Sequence, residues 1–196
     1  MSTIRYQPLQ GEEIAEHLGA LAALRLTVFR EWPYLYEGSM DYERRYLDTY
    51  VRCHDSLAVL AWDGDTCVGA TTALPMRHAE QAMRLPFELA QINFDQWLYF
   101  GESVVLDSYR GRGIGVAFFE YREAHARALG LKGCAFCAVD RPEHHPLRPS
   151  GYQGNDAFWT RRGYSRRPDL SCTFDWLDCG DSAPSPHQLT YWLREL

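Results

Sequence analysis

The stretch GESVVLDSYRGRGIGVAFFEYREAHARALG, residues 101–130, joins a short apolar run, a glycine-rich turn and a segment with helical periodicity. The run at its start is rich in β-branched residues and predicts the end of a buried strand spanning about residues 97–106. The turn places three glycines around two arginines. A helix is predicted from Gly113 to about Leu129, because apolar residues recur on one face: Ile114, Ala117, Phe118, Tyr121 and Ala124.

The glycine-rich turn has two interpretations. It could be a tight turn with a solvated helix cap, or it could be a cradle that binds phosphate. A helix N-terminus carries unpaired N–H groups and partial positive charge, and glycines let an anion approach the backbone. A dinucleotide GxGxxG motif fails, because Val116 and Phe118 occupy the positions of its last glycine. A P-loop fails because no lysine follows the glycines. The cradle, if present, therefore serves another phosphate ligand.

Composition narrows the class of protein. The chain has 196 residues, which suits a single domain, and its whole net charge of −6 comes from residues 1–100. An acidic chain is not expected to bind nucleic acid non-specifically. No basic segment followed by an apolar run opens the sequence, and no run is long enough for a membrane helix. We therefore expect a cytoplasmic protein without a membrane or nucleic-acid partner.

The six cysteines are scattered and predict no disulfide framework. Cys134 and Cys137 form a CxxC pair, but the surrounding GCAFCAV reads as a buried strand. Side chains three residues apart lie on opposite faces of a strand, and no second pair completes a zinc site. We expect these cysteines to be core residues and expect no metal.

The order of predicted elements is β-α-α-β-β-insert-β-α-β-α-β-β. It predicts an α/β fold with a mixed, mostly antiparallel sheet in which the strands on either side of the Gly113 helix are parallel. We expect residues 1–196 to form one domain, with a helical insert at about residues 77–96 that Pro86 interrupts. The first helix is predicted at about Gly11–Trp32, and the last strands at residues 171–178 and 189–196.

Residues 101–130 resemble the acyl-CoA-binding core of the GNAT superfamily of N-acetyltransferases, whose loop reads (Arg/Gln)-x-x-Gly-x-(Gly/Ala). The element order, the DGDTCVG hairpin and the FWTRRGY segment are similar to that family over the whole chain. The resemblance implies a central sheet whose parallel strand pair splays apart. It also implies acetyl-CoA as the acyl donor, bound without a metal.

The resemblance implies where the donor binds. Its pyrophosphate would lie on main-chain N–H groups of the glycine-rich turn, and its pantetheine arm along the preceding strand. Asn155 is a further candidate contact, although helix capping is an equal alternative. The residues expected at the donor site are Val104, Val105, Arg110, Arg112, Gly113, Ile114, Gly115, Val116 and Asn155.

For catalysis the resemblance suggests Glu102 as the base that deprotonates the acceptor amine, with a surface glutamate as the alternative. The family often protonates the departing thiolate with a tyrosine, but Trp159 stands at that position and its indole cannot act as an acid. Tyr152, Tyr164 and solvent remain as substitutes, and we take Tyr164 as the expected proton donor.

The leading hypothesis is acetyl transfer from acetyl-CoA to a primary amine of a small molecule, in a ternary complex. Two alternatives stay open, a non-catalytic acyl-CoA-binding module and an acetyltransferase for protein lysines or N-termini. The acceptor pocket is expected around Trp32, Tyr34 and Tyr36 and the insert, with His144 and His145 as further lining candidates. The sequence leaves a homodimer possible.

Overall fold

A computed structural model describes residues 3–196 of the chain. One seven-stranded sheet runs through it in the order β1-β2-β3-β4-β5-β7-β6. Every neighbouring pair is antiparallel except β4 and β5, which confirms the predicted α/β fold with its mixed sheet. The strands are β1 (Arg5–Leu9), β2 (Leu57–Asp63), β3 (Thr66–Pro75), β4 (Trp97–Val105), β5 (Gly133–Val139), β6 (Ser165–Trp176) and β7 (Ser185–Glu195).

Helices cover both faces of the sheet. Those on the first face, α1 to α3, pack against a large apolar cluster, whereas α4 and α5 pack on the opposite face. The first five residues of β2 are all apolar because they are buried on both sides, with Leu60 facing the first layer and Val59 the second. The helices are α1 (Leu18–Phe29), α2 (Met40–Arg52), α3 (Gln81–Leu89), α4 (Ile114–Ala128) and α5 (Asp156–Arg161).

Strands β4 and β5 are paired over only three residues each. Trp97–Tyr99 pair with Gly133–Ala135, and beyond that point the two strands diverge. On its other side β4 carries a bulge, because Gly101 and Glu102 together oppose the single residue Thr72 of β3. A bulge bends its strand and increases the local twist. The bend helps to separate β4 from β5, and it leaves an opening in the middle of the sheet.

Several element boundaries differ from the sequence expectations. The first predicted helix begins as a 3₁₀ helix at Gly11–His17 and ends at Phe29, and the last two strands begin earlier than expected. Helix α3 continues through Pro86 rather than stopping there. Pro86 has no N–H group, so the helix loses one hydrogen bond there. The burial of Phe87 in the core outweighs this loss.

The CxxC pair lies in β5 as expected, with Cys134 in the cluster beneath α4 and Cys137 against the cluster of the first face. All six cysteines are free thiols. Within residues 3–196, no three His, Cys, Asp or Glu side chains are placed to hold a metal ion. In the same part of the chain, no helix combines the length and apolar character needed to cross a membrane.

Candidate active site

The opening between β4 and β5 is a cavity of about 560 Å³, which we call the slot. The diverging strands form two of its walls, and α4 and α5 form a third. Beyond the last paired residue, Tyr99, the β4 edge that faces the slot has lost its β5 partner. Backbone N–H and C=O groups on such an edge need hydrogen bonds from a ligand or water. The slot thus suits an extended ligand rich in amides.

The glycine-rich turn lies at the N-terminus of α4. Gly113 is the N-cap residue with φ of 84°, and Gly111 has φ of 74°, a backbone conformation that other residues adopt only with strain. The first helical bond is donated by the N–H of Ala117 to the carbonyl of Gly113. The N–H groups of Ile114, Gly115 and Val116 therefore have no partner within the helix, as an anion cradle requires.

The two arginines of the turn are held differently. Arg110 donates to the carbonyl of Val105 at 3.2 Å and to Glu31 at 2.6 Å, which ties the turn to the end of β4 and to the chain after α1. Arg112 donates to the carbonyl of Ser108 and packs over the ring of Tyr109. Both side chains are exposed or half-exposed, so both can pair with an incoming anion.

The turn and the slot lie along the same helix, α4, and the part of α4 that lines the slot begins at Phe119. A Cβ atom at Gly115 would lie 3.6 Å from the ring of Phe158 in α5, and Phe119, one turn later, lines the slot. Asn155 lines the slot at the other end of α5, where it is the N-cap residue but makes no capping hydrogen bond with its side chain. Its amide is therefore free for a ligand.

Of the two expected valines, Val104 is fully buried and belongs to the core, while Val105 is half-buried at the end of β4. Ser103 between them and the bulge is exposed and lines the slot. Neither valine is among the residues that line the slot, and the side chain of Val104 is closed to a ligand because it is buried.

Glu102 lies at the bulge, but its side chain is completely buried. Its carboxylate accepts from the guanidinium of Arg25 at 2.5 Å, from Tyr46 at 3.2 Å and from Thr72 at 2.8 Å. Glu102 lines the slot, but its carboxylate already accepts three hydrogen bonds, so this geometry does not favour direct proton transfer and the role of Glu102 as the base stays a prediction. The sequence pattern placed the residue correctly on the strand, but the bulge directs the side chain into the first helical layer.

Arg25 is shared between two buried carboxylates, since it also donates to Glu43. Burial alone would lower the pKa of Arg25, but Glu102, Tyr46 and Glu43 outweigh this effect and raise the pKa above its usual value. The Oε1 atom of Glu43 is buried and has no hydrogen-bond partner. One guanidinium thus pairs with two buried carboxyl groups.

A second cavity, of about 140 Å³, opens on the face of the sheet covered by α1 to α3. We call it the aromatic cavity, since most of its walls are rings. It shares Phe29, Tyr34, Gly101 and Cys137 with the slot, so the two cavities meet where β4 and β5 diverge. The rings that line it are those of Phe29, Tyr34, Tyr36, Tyr42, Tyr46, Tyr99, Phe174 and Trp176.

The wall between the two cavities is fixed by Arg141. This side chain pairs with Asp178 at 2.6 Å and donates to the carbonyls of Pro33 and Tyr34, which lie in the loop after α1. The expected acceptor residues divide between the cavities. Trp32 lines the slot and packs against His145, Tyr34 lines both cavities, and Tyr36 lines the aromatic cavity.

Tyr164 is buried away from the slot. Its hydroxyl donates to Glu123 at 3.3 Å, and burial raises its pKa far above the usual value. This position does not support the expected proton transfer to a leaving thiolate. Trp159 and Tyr152 do line the slot, and Trp159 packs against Phe136.

Sequence reasoning missed the buried charges Arg25, Glu43, Arg122 and Arg141. Arg25 lay on the apolar face of a predicted helix, and that position was the signal available for it. The partners of these residues are distant in the chain, 77 residues for Arg25 and Glu102, so spacing alone could not identify them.

Residues 21–149 match the model of the acetyltransferase (GNAT) family. The chain belongs to the GNAT family. The matched region contains the aromatic loop after α1, the bulged β4, the glycine-rich turn and β5. The fold is therefore one that supports acetyl transfer, and the protein is an acyltransferase by family.

Solved structures support the same fold at low identity. An N-acetyltransferase from Staphylococcus aureus Mu50 matches with a TM-score of 0.63 at 13% identity over 99% of both chains. A ribosomal-protein-alanine N-acetyltransferase from Brucella melitensis gives 0.62 at 15% identity over 99% of both chains. An acetyltransferase from Thermus thermophilus gives 0.58 at 17% identity over the full length of both chains. No curated protein matches the sequence significantly.

Proposed function

We propose that this protein is an N-acetyltransferase that transfers the acetyl group of acetyl-CoA to a primary amine of a small molecule. The observation that carries the proposal is the meeting of two cavities at the divergence of β4 and β5, with Gly101 and Cys137 in the walls of both. One cavity suits an extended donor, and the other suits an acceptor. Attack can then be direct, in a ternary complex.

In this proposal the donor lies along the slot. Its pyrophosphate binds the free N–H groups of Ile114, Gly115 and Val116, with Arg110 and Arg112 adding positive charge. Its pantetheine arm pairs with the open edge of β4 near Val104 and Val105 in the way that a peptide adds to a sheet edge. Asn155 faces it from α5.

The acceptor in this proposal is a compact organic cation in the aromatic cavity. Ring faces attract cations, and Arg25, which also lines the cavity, is paired with the buried carboxyl groups of Glu43 and Glu102. Glu80 and Asp175 are exposed lining residues, so they add negative charge at the mouth of the cavity. A volume of about 140 Å³ favours a small molecule over a folded partner.

The chemistry needs a neutral amine, which attacks the carbonyl carbon of the thioester. The proton of the ammonium form passes to water in the cavity, because the carboxylate of Glu102 is enclosed. Tyr46 connects the two, since its ring lines the aromatic cavity and its hydroxyl donates to Glu102. In this proposal Glu102 therefore acts through Tyr46 and Arg25, as a positioning residue.

The test is release of free CoA from acetyl-CoA across a panel of small amines, with acylated product measured by mass spectrometry. We expect turnover with compact cationic amines and a higher KM for them in Asp175→Asn. Arg44→Met, an exposed substitution on α2, is the control. Absence of turnover with every amine of the panel would contradict the proposal.

Trp159 favours one alternative, a non-catalytic acyl-CoA-binding module, because this slot residue cannot protonate a thiolate. Tight binding of acetyl-CoA without CoA release for any amine or peptide would support the module. Turnover with lysine or N-terminal peptides, and none with small amines, would instead support a protein acetyltransferase. A cytoplasmic location and a homodimer stay predictions, to be tested by fractionation and by light scattering.

A further inference from the structure

Arg122 is a buried guanidinium in the third turn of α4. The residue is only 2% exposed, yet it lines the slot. Its hydrogen bonds go to two backbone carbonyls, to Phe118 at 3.2 Å and to Glu102 at 3.5 Å. Among the ion pairs of residues 3–196, none includes Arg122. A buried arginine without a carboxylate partner is uncommon, because burial of an unpaired charge is costly.

The acidic side chains near Arg122 form ion pairs with other residues. The carboxylate of Glu102 on β4 pairs with Arg25, on the other side of the bulge. The carboxylate of Glu123, the next residue in α4, accepts from Arg194 at 2.8 Å and from Tyr164. From β5, Cys134 faces Arg122 as a thiol whose pKa is raised to about 12, mainly by burial, so it carries no charge at neutral pH. Tyr164, Cys134, Glu123 and Glu102 lie near enough to offset part of the effect of burial on the pKa of Arg122. Within residues 3–196, however, no carboxylate lies within ion-pairing distance of its guanidinium.

Two aromatic rings hold the guanidinium in place. Its central carbon lies 3.9 Å from the ring centre of Phe100 and 4.9 Å from that of Phe119. Burial lowers the pKa of Arg122 to about 10, which still leaves the side chain charged at neutral pH. The slot therefore contains a fixed cation whose natural counterpart is a negative charge that a ligand brings or that a reaction creates.

Two negative charges could lie near Arg122, that of the donor's pyrophosphate and that which develops on the thioester sulfur. The position of Arg122 favours the sulfur. The pyrophosphate of a donor would lie about two helical turns away, at the start of α4. Arg122 instead lies beside the bulge at Gly101 and Glu102, where the slot meets the aromatic cavity. The thioester must be at this junction for an amine in the aromatic cavity to attack it.

We propose that Arg122 stabilises the CoA thiolate that leaves during acetyl transfer. The inference rests on the proposed function. The amine nitrogen forms a bond to the carbonyl carbon and loses a proton to water. The carbon–sulfur bond then breaks, and its electron pair stays on sulfur as a thiolate beside the guanidinium. The thiolate takes a proton from solvent after it leaves the slot. A proton donor at the position of Trp159 is then unnecessary.

The test measures the pKa of the thiol of CoA bound to the protein, from the absorbance of the thiolate near 240 nm. An opposite charge within about 4–6 Å lowers a pKa by about one to three units. We expect the bound thiol of the wild type to titrate at least about one unit below free CoA. In Arg122→Met its pKa should return towards that of free CoA, and Arg122→Lys should retain most of the lowering.

Arg161→Met is the matched control, because it removes the same charge from an exposed position of α5. It should leave the pKa of the bound thiol unchanged. CoA that binds the wild type with an unaltered thiol pKa would overturn the role of Arg122 while leaving the proposed function intact. This outcome needs no variant to fold. Failure of the wild type to bind CoA would overturn the proposed function and the role of Arg122 together.

Kinetics give a second readout. Loss of thiolate stabilisation should lower kcat for Arg122→Met while the Kd for acetyl-CoA changes little. A purely structural role would weaken acetyl-CoA binding, since a displaced bulge would also displace the open edge of β4. Weaker binding with an unchanged kcat would therefore contradict the assignment.

Discussion

Replacing Arg25 with methionine tests the buried charge cluster beneath the bulge. Within residues 3–196, Arg25 is the only cation paired with the carboxylates of Glu43 and Glu102, whose side chains have no exposed surface. Arg25→Met would leave both buried carboxyl groups without their partner. Removing one member of a buried pair typically costs about 3–5 kcal/mol. We expect a loss of about 4 kcal/mol in the free energy of unfolding, a large share of a typical total.

The assay is urea unfolding followed by tryptophan fluorescence at neutral pH. The triple variant Arg25→Met, Glu43→Gln, Glu102→Gln should regain much of the stability, because it removes the charges together with their partner. Arg44→Met, exposed on α2, serves as the control and should stay within about 0.5 kcal/mol of the wild type. A loss below about 1 kcal/mol in Arg25→Met, or a triple variant no better than the single one, would refute the reasoning.

Three further predictions concern the turn, the buried tyrosine and the C-terminal sheet. Gly115→Asp should abolish acetyl-CoA binding in calorimetry without unfolding, because the new carboxylate lies in the anion cradle; retained binding would make the cradle only a turn. Tyr164→Phe should lose about 1 kcal/mol of stability through its bond to Glu123 and keep kcat, and a large fall in kcat would restore it as a proton donor. Burial beside Trp176 lowers the pKa of His187, so its stabilising effect is present above pH 6.5 and lost as pH falls. His187→Phe should flatten the fall in melting temperature between pH 7 and 5, and an unchanged slope would contradict this.

The local sequence pattern predicted those elements whose structure depends only on residues near one another in the chain. Residues 97–130 predicted strand, turn and helix, and the structure has β4, the left-handed glycine at Gly113 and α4 in that order. The α/β fold and the parallel pair follow, because parallel strands need a crossover such as α4. The cysteines of β5 fall on opposite faces, since a strand has a period of two.

The side-chain roles were not predictable in the same way. The sequence predicts Glu102 at the reacting centre. In the fold, the side chain of Glu102 lies at the bulge opposite Thr72 and pairs with Arg25. The sequence suggests Tyr164 as the proton donor because it is a phenol near Trp159, and in the fold this residue is buried beneath α4. The alternation of side chains along a strand predicts their direction only where the strand has no bulge. A bulge depends on pairing with the neighbouring strand, so the sequence of one strand does not reveal it.

The sequence by itself therefore determined the fold class, the family resemblance and the place of the glycine-rich turn, because these depend on periodicity and backbone preference over a few residues. The tertiary structure decided which charges are buried, which cavities meet and which guanidinium lacks a counter-ion. Arg25 and Arg122 both lie on predicted helices and look alike in the sequence. In the folded protein Arg25 pairs with two carboxyl groups, those of Glu43 and Glu102. Arg122 instead contacts only backbone carbonyls and aromatic rings at close range.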